Sequence, residues 1–449
     1  MTAAAATLHL PIRLSTLLRL AGPVVLSRLG IMTMGLVDTI VVGRHSGVEL
    51  GYLALAWAPT GIVLTTSIGL LSGVQVLTSQ AIGEGRREDT GAVLRRGLIY
   101  SALIGIVAAA LLIVGGPWFL HHVGVEASLA DGATPVLVML ALSLLPILVG
   151  DAGIFWLEAH GRPVPGAVVM WASNVVNLAL NLWLVPGRSP FAVEGAVAAS
   201  YATLISRIAF LIMVAVAILG WHEAKSLGVL KRHGRDRGAE AALRRIGYAA
   251  SLSYFVEAGA FQAMTIVAGW LGATAVAAWA VTVNVAALIF MLPLGLATAT
   301  GVLVGRAYGA GDRVGVRRAG VLGFRAVFGL LLIVCAIVGF GNHAIAAAYT
   351  HDPAIRVAAA SALLLSCLFY VADGLQVVGS QSLRAQNDIW APTATHFFSY
   401  LVVMIPACIL LAITAGLGVD GIVLGVVIAS LVSAALLIGR FWWKVRGHG

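Results

Sequence analysis

Gly97-Leu-Ile-Tyr-Ser-Ala-Leu-Ile-Gly-Ile-Val-Ala-Ala-Ala-Leu-Leu-Ile-Val-Gly-Gly116 is a run of twenty residues without a charge. A helix rises about 1.5 Å per residue, so such a run spans the roughly 30 Å hydrocarbon core of a bilayer. Reading outward from it gives twelve apolar stretches, near 14–43, 52–81, 93–116, 128–158, 163–185, 192–220, 245–270, 275–308, 318–341, 354–384, 391–415 and 419–443. Over 449 residues, 60% are apolar and 10% charged, against roughly 25% charged in an average soluble domain. The mean hydropathy is +0.98. A soluble fold would have too few polar residues to coat its surface. Collagen, disorder and disulfide scaffolds fail on the same numbers. A transmembrane β-barrel would show short alternating segments instead. The pattern predicts an all-α membrane protein with twelve transmembrane helices.

The net charge of +9 invites a nucleic-acid reading, which the placement of the charges removes. Even-numbered connections and the termini carry Arg13, Arg19, Arg86, Arg87, Arg95, Arg96, Arg162, the basic residues of 225–245 (Arg232 and Arg235 among them), Arg306, Arg313, Arg317, Arg318, Arg384, Arg440, Lys444 and Arg446. Odd-numbered connections carry Arg44, Arg188 and Arg356. This asymmetry predicts a multi-pass chain with both termini cytoplasmic, its partner the lipid bilayer rather than nucleic acid. Met1 to Pro11 has no basic n-region, so the first apolar run is expected to be a retained helix and not a removable signal. Cys335, Cys367 and Cys408 all lie in apolar runs, with no disulfide framework or metal spacing. The longest polar stretch, Trp221 to Arg245, reads as a cytoplasmic linker. It predicts an N-terminal six-helix bundle over 1–220, a linker over 221–244 and a C-terminal six-helix bundle over 245–449.

The halves resemble each other at one shift. Thr39-Ile-Val-Val-Gly43 matches Thr265-Ile-Val-Ala-Gly269, and Ala81-Ile-Gly-Glu-Gly85 matches Ala307-Tyr-Gly-Ala-Gly311. Leu157-Glu-Ala159 matches Leu383-Arg-Ala385, and Val193-Glu-Gly195 matches Val419-Asp-Gly421. All four pairs stand at the same offset, the step from position 39 to position 265. The basic loop Gly83 to Arg96 maps onto Gly309 to Arg318, which puts both on one side of the membrane and makes the repeats parallel. Parallel repeats are a known transporter plan, with substrate bound between them near the midplane. The Gly-x-Gly pieces at 83–85 and 309–311 are not phosphate loops, because no strand precedes them and no Lys-Ser/Thr follows.

Ionisable residues inside apolar spans are costly and are functional candidates by default. Asp38 lies in span 1, Glu257 in span 7 and Asp373 in span 10. Their counterparts under the repeat offset are Met264, Ile31 and Ile147, so the scaffold is duplicated and the acids are not. One reading of each is a carboxylate capped by hydroxyls. The other is a cation-coupling site: burial disfavours the charged form of a carboxyl, which lets it load and release a proton. Glu257 and Asp373, in one half, could also supply oxygen ligands to Na⁺. Asp151, Arg28 and Arg207 are also intramembrane, with Arg28 either lining a cavity or snorkelling. Glu158 and Arg384 sit near helix ends and are expected at the interface. Asn174, Asn177 and Asn181 form an amide stripe in span 5, a packing seam or a ligand site. Asn284 is a weaker case. Phe261, Met264, Trp279, Phe290 and Met291 either line an adaptable greasy cavity or pack. Pro23, Pro146, Pro293 and Pro406 are expected to bend their spans.

These residues together resemble the multidrug and toxic compound extrusion (MATE) transporters over nearly the full length. The likeness rests on Val37-Asp-Thr39 with Gly43, on Glu257, on Asn284 with Met291-Leu-Pro-Leu-Gly295, and most specifically on Asp373-Gly-Leu-Gln-Val-Val-Gly-Ser-Gln-Ser-Leu-Arg384. The resemblance implies two six-helix bundles around a central cleft, and export of lipophilic, often cationic, small organic compounds by antiport with H⁺ or Na⁺. It implies a monomer with no cofactor beyond that ion. By resemblance Glu257 and Asp373 form the acidic cation-coupling pair of the NorM-like branch, and Asp38 is the span 1 aspartate that protonates. Asn177 and Asn181 match a polar pair, with Asn181 where some branches carry aspartate. Tyr370 follows Phe369, which stands where NorM-like members often have tyrosine, and this tips the coupling ion toward protons. A lipid-linked oligosaccharide flippase and a major-facilitator transporter remain as alternatives. No nucleophile–base pair or cofactor loop supports an enzyme.

Overall fold

A computed structural model describes residues 10–122, 126–187, 193–231, 234 and 236–447. Arg188, Arg232 and Arg235, and Met1 to His9 of the retained-helix reading, lie outside the described residues. Twelve long helical segments follow one another: α1 Leu14–His45, α2 Gly47–Gly83, α3 Thr90–His122, α4 Ala127–Ala159, α5 Val164–Leu184, α6 Gly195–Leu219, α7 Arg237–Leu271, α8 Ala273–Gly309, α9 Arg313–Tyr349, α10 Pro353–Arg384, α11 Trp390–Thr414 and α12 Gly418–Val445. In lipid every backbone N–H and C=O must pair within its own segment, which forces these apolar runs into helices. Eleven of them are long and apolar enough to cross a membrane. The twelfth, α7, is 35 residues long and carries Glu257 and Gln262 in its apolar half, which lowers its hydropathy.

The repeat is visible in the helix ends. α2 and α8 start at the repeat offset from each other, at Gly47 and Ala273, and end at the same offset, at Gly83 and Gly309. The motif Ala81 to Gly85 and its copy Ala307 to Gly311 are helix C-caps. Arg86 N–H donates to the Ala81 carbonyl and Asp312 N–H to the Ala307 carbonyl, each at 2.9 Å. Gly85 and Gly311 have φ of 80° and 69°, a left-handed turn that glycine adopts without a Cβ penalty.

At two of the four prolines expected to bend their spans the regular α-helix is interrupted. α4 breaks between Leu142 and Leu144. Pro146 has no N–H for the Leu142 carbonyl, four residues earlier, and its ring crowds that carbonyl. In α11 the backbone widens into π-helical turns at Phe397–Met404 and Leu410–Thr414, on either side of Pro406. Pro23 and Pro293 lie inside continuous helices.

The chain forms two compact units, and their boundaries are not at the polar loop. One comprises Leu26–Ser251; the other comprises residues up to Val25 together with Leu252–Gly449. The divisions, after Val25 and after Ser251, again differ by the repeat offset. Composition marks loops, whereas packing exchanges the first parts of α1 and α7. In the Leu26–Ser251 unit, a Cβ on Gly73 of α2 would lie 2.6 Å from the Leu243 carbonyl oxygen of α7, and one on Gly247 would strike the Leu70 carbonyl. In the other unit, Gly295 of α8 closes against Val25 of α1. Small residues permit these backbone approaches. Each unit has its own apolar core.

Candidate functional site

The first polar cluster is inside the Leu26–Ser251 unit. Asp38 on α1 is fully buried. Its Oδ1 accepts from Asn177 Nδ2 at 3.0 Å and Asn181 Nδ2 at 2.7 Å, and its Oδ2 from Thr203 Oγ1 at 2.6 Å. Asn177 and Asn181 share a face of α5 because they are i,i+4. Asn174 is a packing residue instead: its amide donates to the Gly30 carbonyl at 3.0 Å and the Met170 carbonyl at 2.9 Å, tying α5 to α1. The side-chain oxygens of Asn174, Asn177 and Asn181 have no hydrogen-bond partner among the described residues.

The same unit buries a second set of charges. Arg28 Nη2 lies 3.4 Å from Glu158 Oε1, and Gln75 Nε2 donates to Glu158 Oε2 at 3.1 Å. Glu158 is 3% exposed and Arg28 7%, so neither the interfacial expectation for Glu158 nor the snorkelling alternative for Arg28 holds. Each is inside because the other neutralises it, with Phe155 5.1 Å under the guanidinium. Arg207 Nη1 donates to Ser143 Oγ at 2.7 Å, at the break in α4, and its guanidinium sits 5.6 Å over the Trp57 ring. Asp151 is within electrostatic reach of both arginines.

The second cluster is inside the unit that contains α8–α12. Glu257 and Asp373 meet on one amide: Gln376 Nε2 lies 2.8 Å from Asp373 Oδ1 and 3.3 Å from Glu257 Oε1. The same nitrogen is 2.7 Å from Tyr400 Oη. An NH₂ has two protons, so the two shorter bonds hold it and Glu257 shares. The Tyr400 hydroxyl in turn donates to Glu257 Oε1 at 3.2 Å. Ser433 Oγ donates to Gln376 Oε1 at 2.7 Å, which fixes the amide with its nitrogen toward the carboxylates. His396 Nδ1 is 3.9 Å from Glu257 Oε2. Tyr400 follows His396 by four residues across the widened turn of α11.

An aromatic row adjoins this cluster. Tyr370 and Phe369 have ring centroids 5.7 Å apart, Phe369 and Phe261 5.8 Å, and Phe261 and Tyr400 6.2 Å. The Tyr370 hydroxyl is buried without a partner among the described residues. Tyr400, and not Tyr370, supplies the hydroxyl that reaches Glu257. Asn284 is exposed on α8, where its Oδ1 accepts from Tyr349 Oη at 3.5 Å. Arg384, expected at an interface, is 1% exposed; its guanidinium lies 5.5 Å over the Tyr254 ring. No group of three or more His, Cys, Asp or Glu suited to a metal ion occurs among the described residues.

Gln376, Tyr400, His396, Thr203 and Ser433 were not singled out from sequence. A signal existed for two of them: under the repeat offset Tyr400 is the counterpart of Asn174 and Ser433 that of Arg207.

Duplicated six-helix segments with carboxylates netted in amides and hydroxyls inside long apolar helices define a multi-pass membrane protein of the transporter class. The MatE family model matches twice, over residues 23–183 and 249–410, and the two starts differ by the repeat offset. The chain belongs to the MatE family. It is 48% identical over 426 residues to a probable multidrug resistance protein NorM of Caulobacter vibrioides, covering 95% of this chain and 90% of the relative. A protein of the same description from Bradyrhizobium diazoefficiens is 31% identical, covering 98% and 95%. Among solved structures, a MATE in complex with MaL6 superposes with a TM-score of 0.90 at 20% identity, covering 99% of both chains. The eukaryotic MATE transporter AtDTX14 superposes at 0.85 with 18% identity, covering 97% and 98%.

Proposed function

We propose that this chain exports lipophilic, often cationic, organic compounds by antiport, and that protons drive it through Glu257 and Asp373. The observation that carries the reading is the shared Gln376 amide, which draws two carboxylates from α7 and α10 into one buried network. Charge counting supports it. Among the described buried residues of the Leu26–Ser251 unit, Asp38, Asp151 and Glu158 stand against Arg28 and Arg207. That unit buries one carboxylate more than guanidinium. A net buried charge is costly, and one monovalent cation taken up there cancels it.

Protons suit this network better than Na⁺. Gln376 turns a nitrogen donor, not an oxygen, to both acids, with Ser433 holding it that way. Na⁺ prefers oxygen ligands, so the amide occupies a ligand position with the wrong dipole. Asp38 is likewise wrapped by three donors. Protonation neutralises a carboxyl in place and needs no further ligand. Coupling follows if substrate and proton bind the two transport states with different affinity.

The NorM descriptions of the relatives support multidrug export. The row Tyr370, Phe369, Phe261 and Tyr400 beside Glu257 offers flat apolar faces and a negative charge, which suit a lipophilic cation. Asp38, with Asn177 and Asn181, would be the second cation-coupling point. The basic connections support insertion in a bacterial inner membrane with both termini cytoplasmic. The chain would work as a monomer, with no cofactor. Everted vesicles test the reading: adding a lipophilic cation to vesicles holding a pH gradient should release protons with the wild type and not with Glu257→Gln. Equal release from both removes Glu257 from coupling.

A further inference from the structure

The foot of α3 and the start of α7, both within the Leu26–Ser251 unit, enclose a cavity of about 410 Å³ that the transport reading does not use. Its lining includes Arg95, Arg96, Tyr100, Leu103, Glu240 and Arg244. Three guanidiniums meet Glu240 in the lining and Asp236 at its edge, which leaves the site net basic. Arg244 lies 3.7 Å from Glu240, and Arg96 lies 3.7 Å from the exposed Asp236. Arg95 is exposed and enters none of the ion pairs among the described residues. The Tyr100 hydroxyl, shielded from water, faces Tyr248.

What lies above the cavity decides what fits it. Ile99 and Leu103 are 56% and 57% exposed, and Val107 and Leu111 continue them at four-residue steps up the same helix. A free anion has no use for that stripe. A lipid tail alone has no use for three arginines. A molecule with an anionic phosphate at one end and a long apolar chain matches both parts, and guanidinium forks suit phosphate oxygens. We propose that this cavity is a binding site for one anionic phospholipid, its phosphate on Arg95, Arg96 and Arg244 and its acyl chain along the exposed face of α3. Tyr100 supplies a further donor to the headgroup at the boundary between the basic and apolar parts. The assignment is independent of the coupling ion.

The test uses the purified full-length protein in nanodiscs and measures binding of phosphatidylglycerol by native mass spectrometry. An arginine near an anionic headgroup contributes about fivefold in affinity. Arg95→Gln should therefore weaken binding about fivefold and Arg95→Gln with Arg244→Gln about 25-fold. Arg318→Gln, which removes an exposed arginine on α9 outside the cavity, should leave it unchanged. The single Arg95 variant loses no ion pair, so it keeps the test open if the double variant folds poorly. Unchanged affinity in the Arg95 variant overturns the proposal. Equal binding of phosphatidylcholine, or full displacement of the lipid by inorganic phosphate, overturns it as well, the last by assigning the cavity to a free anion.

Discussion

Tyr400→Phe removes one oxygen from the centre of the α7–α10–α11 network. That hydroxyl accepts from Gln376 at 2.7 Å and donates to Glu257 at 3.2 Å, and its side chain is fully buried. Water cannot replace it. A hydrogen bond to a charged group contributes about 1.5–3 kcal/mol. The long 3.2 Å distance argues for the low end, about 1.5 kcal/mol. Gln376 then swings its freed proton toward Glu257, already at 3.3 Å, and recovers part of the loss. About 1.4 kcal/mol corresponds to one pH unit. The deleted bond favoured the ionised carboxylate, so its removal lets the network load protons from a more alkaline medium. Proton-driven efflux in proteoliposomes, measured across external pH, should move its midpoint upward by roughly half to one unit with its maximum largely kept. Combined with Glu257→Gln, which removes the charge, Tyr400→Phe should leave no proton-driven efflux at any pH. An unchanged midpoint, or proton-driven efflux that persists in the double variant, refutes the claim that Tyr400 acts through the charge on Glu257.

Other perturbations have expected outcomes of different kinds. Glu158→Leu strands Arg28 in a 7% exposed position and should destabilise the protein by about 3–5 kcal/mol, read as a lowered melting temperature in detergent. Arg28→Leu with Glu158→Leu should recover most of that loss; no recovery would mean that the pair is not mutually compensating. Asp38→Asn keeps an oxygen for Asn177 and Asn181, but it removes the charge and replaces the oxygen that accepts from Thr203 by a nitrogen, and should cut driven efflux at least about tenfold, the scale of one lost charged hydrogen bond. Wild-type efflux in that variant would remove Asp38 from coupling. Gly73→Ala gains about 1 kcal/mol of helix propensity. It also places a Cβ 2.6 Å from the Leu243 carbonyl, where a backbone atom cannot step aside, so overpacking of about 1–3 kcal/mol should win and lower the melting temperature.

The fold was legible because lipid leaves a chain few choices. Long uncharged runs become helices, and the internal repeat sets their order. The turn motif at Ala81 and Ala307 was visible as a repeat, and its meaning as a C-cap came from the φ of Gly85 and Gly311. Unit boundaries were not legible. Polarity changes at the loop near Trp221, but the packing exchange occurs inside α1 and α7, at residues with no compositional mark. Asp38, Glu257 and Asp373 stood out because a charge in an apolar run is conspicuous. Tyr400, Gln376 and Ser433 did not, since hydroxyls and amides are common in spans and only their convergence gives them a role. Glu158 and Arg384 were misplaced for a related reason. Nearness to a helix end suggests exposure, while a buried partner or ring in another segment holds them inside.

The central claim is that protons on buried carboxylates power export. Proteoliposomes with the pH and sodium gradients imposed one at a time test it most directly. Efflux of a lipophilic cation should follow the pH gradient alone, stay at background under a sodium gradient at equal pH, and disappear with Glu257→Gln or Asp373→Asn. Full efflux under the sodium gradient alone, or undiminished proton-driven efflux in both variants, would contradict it.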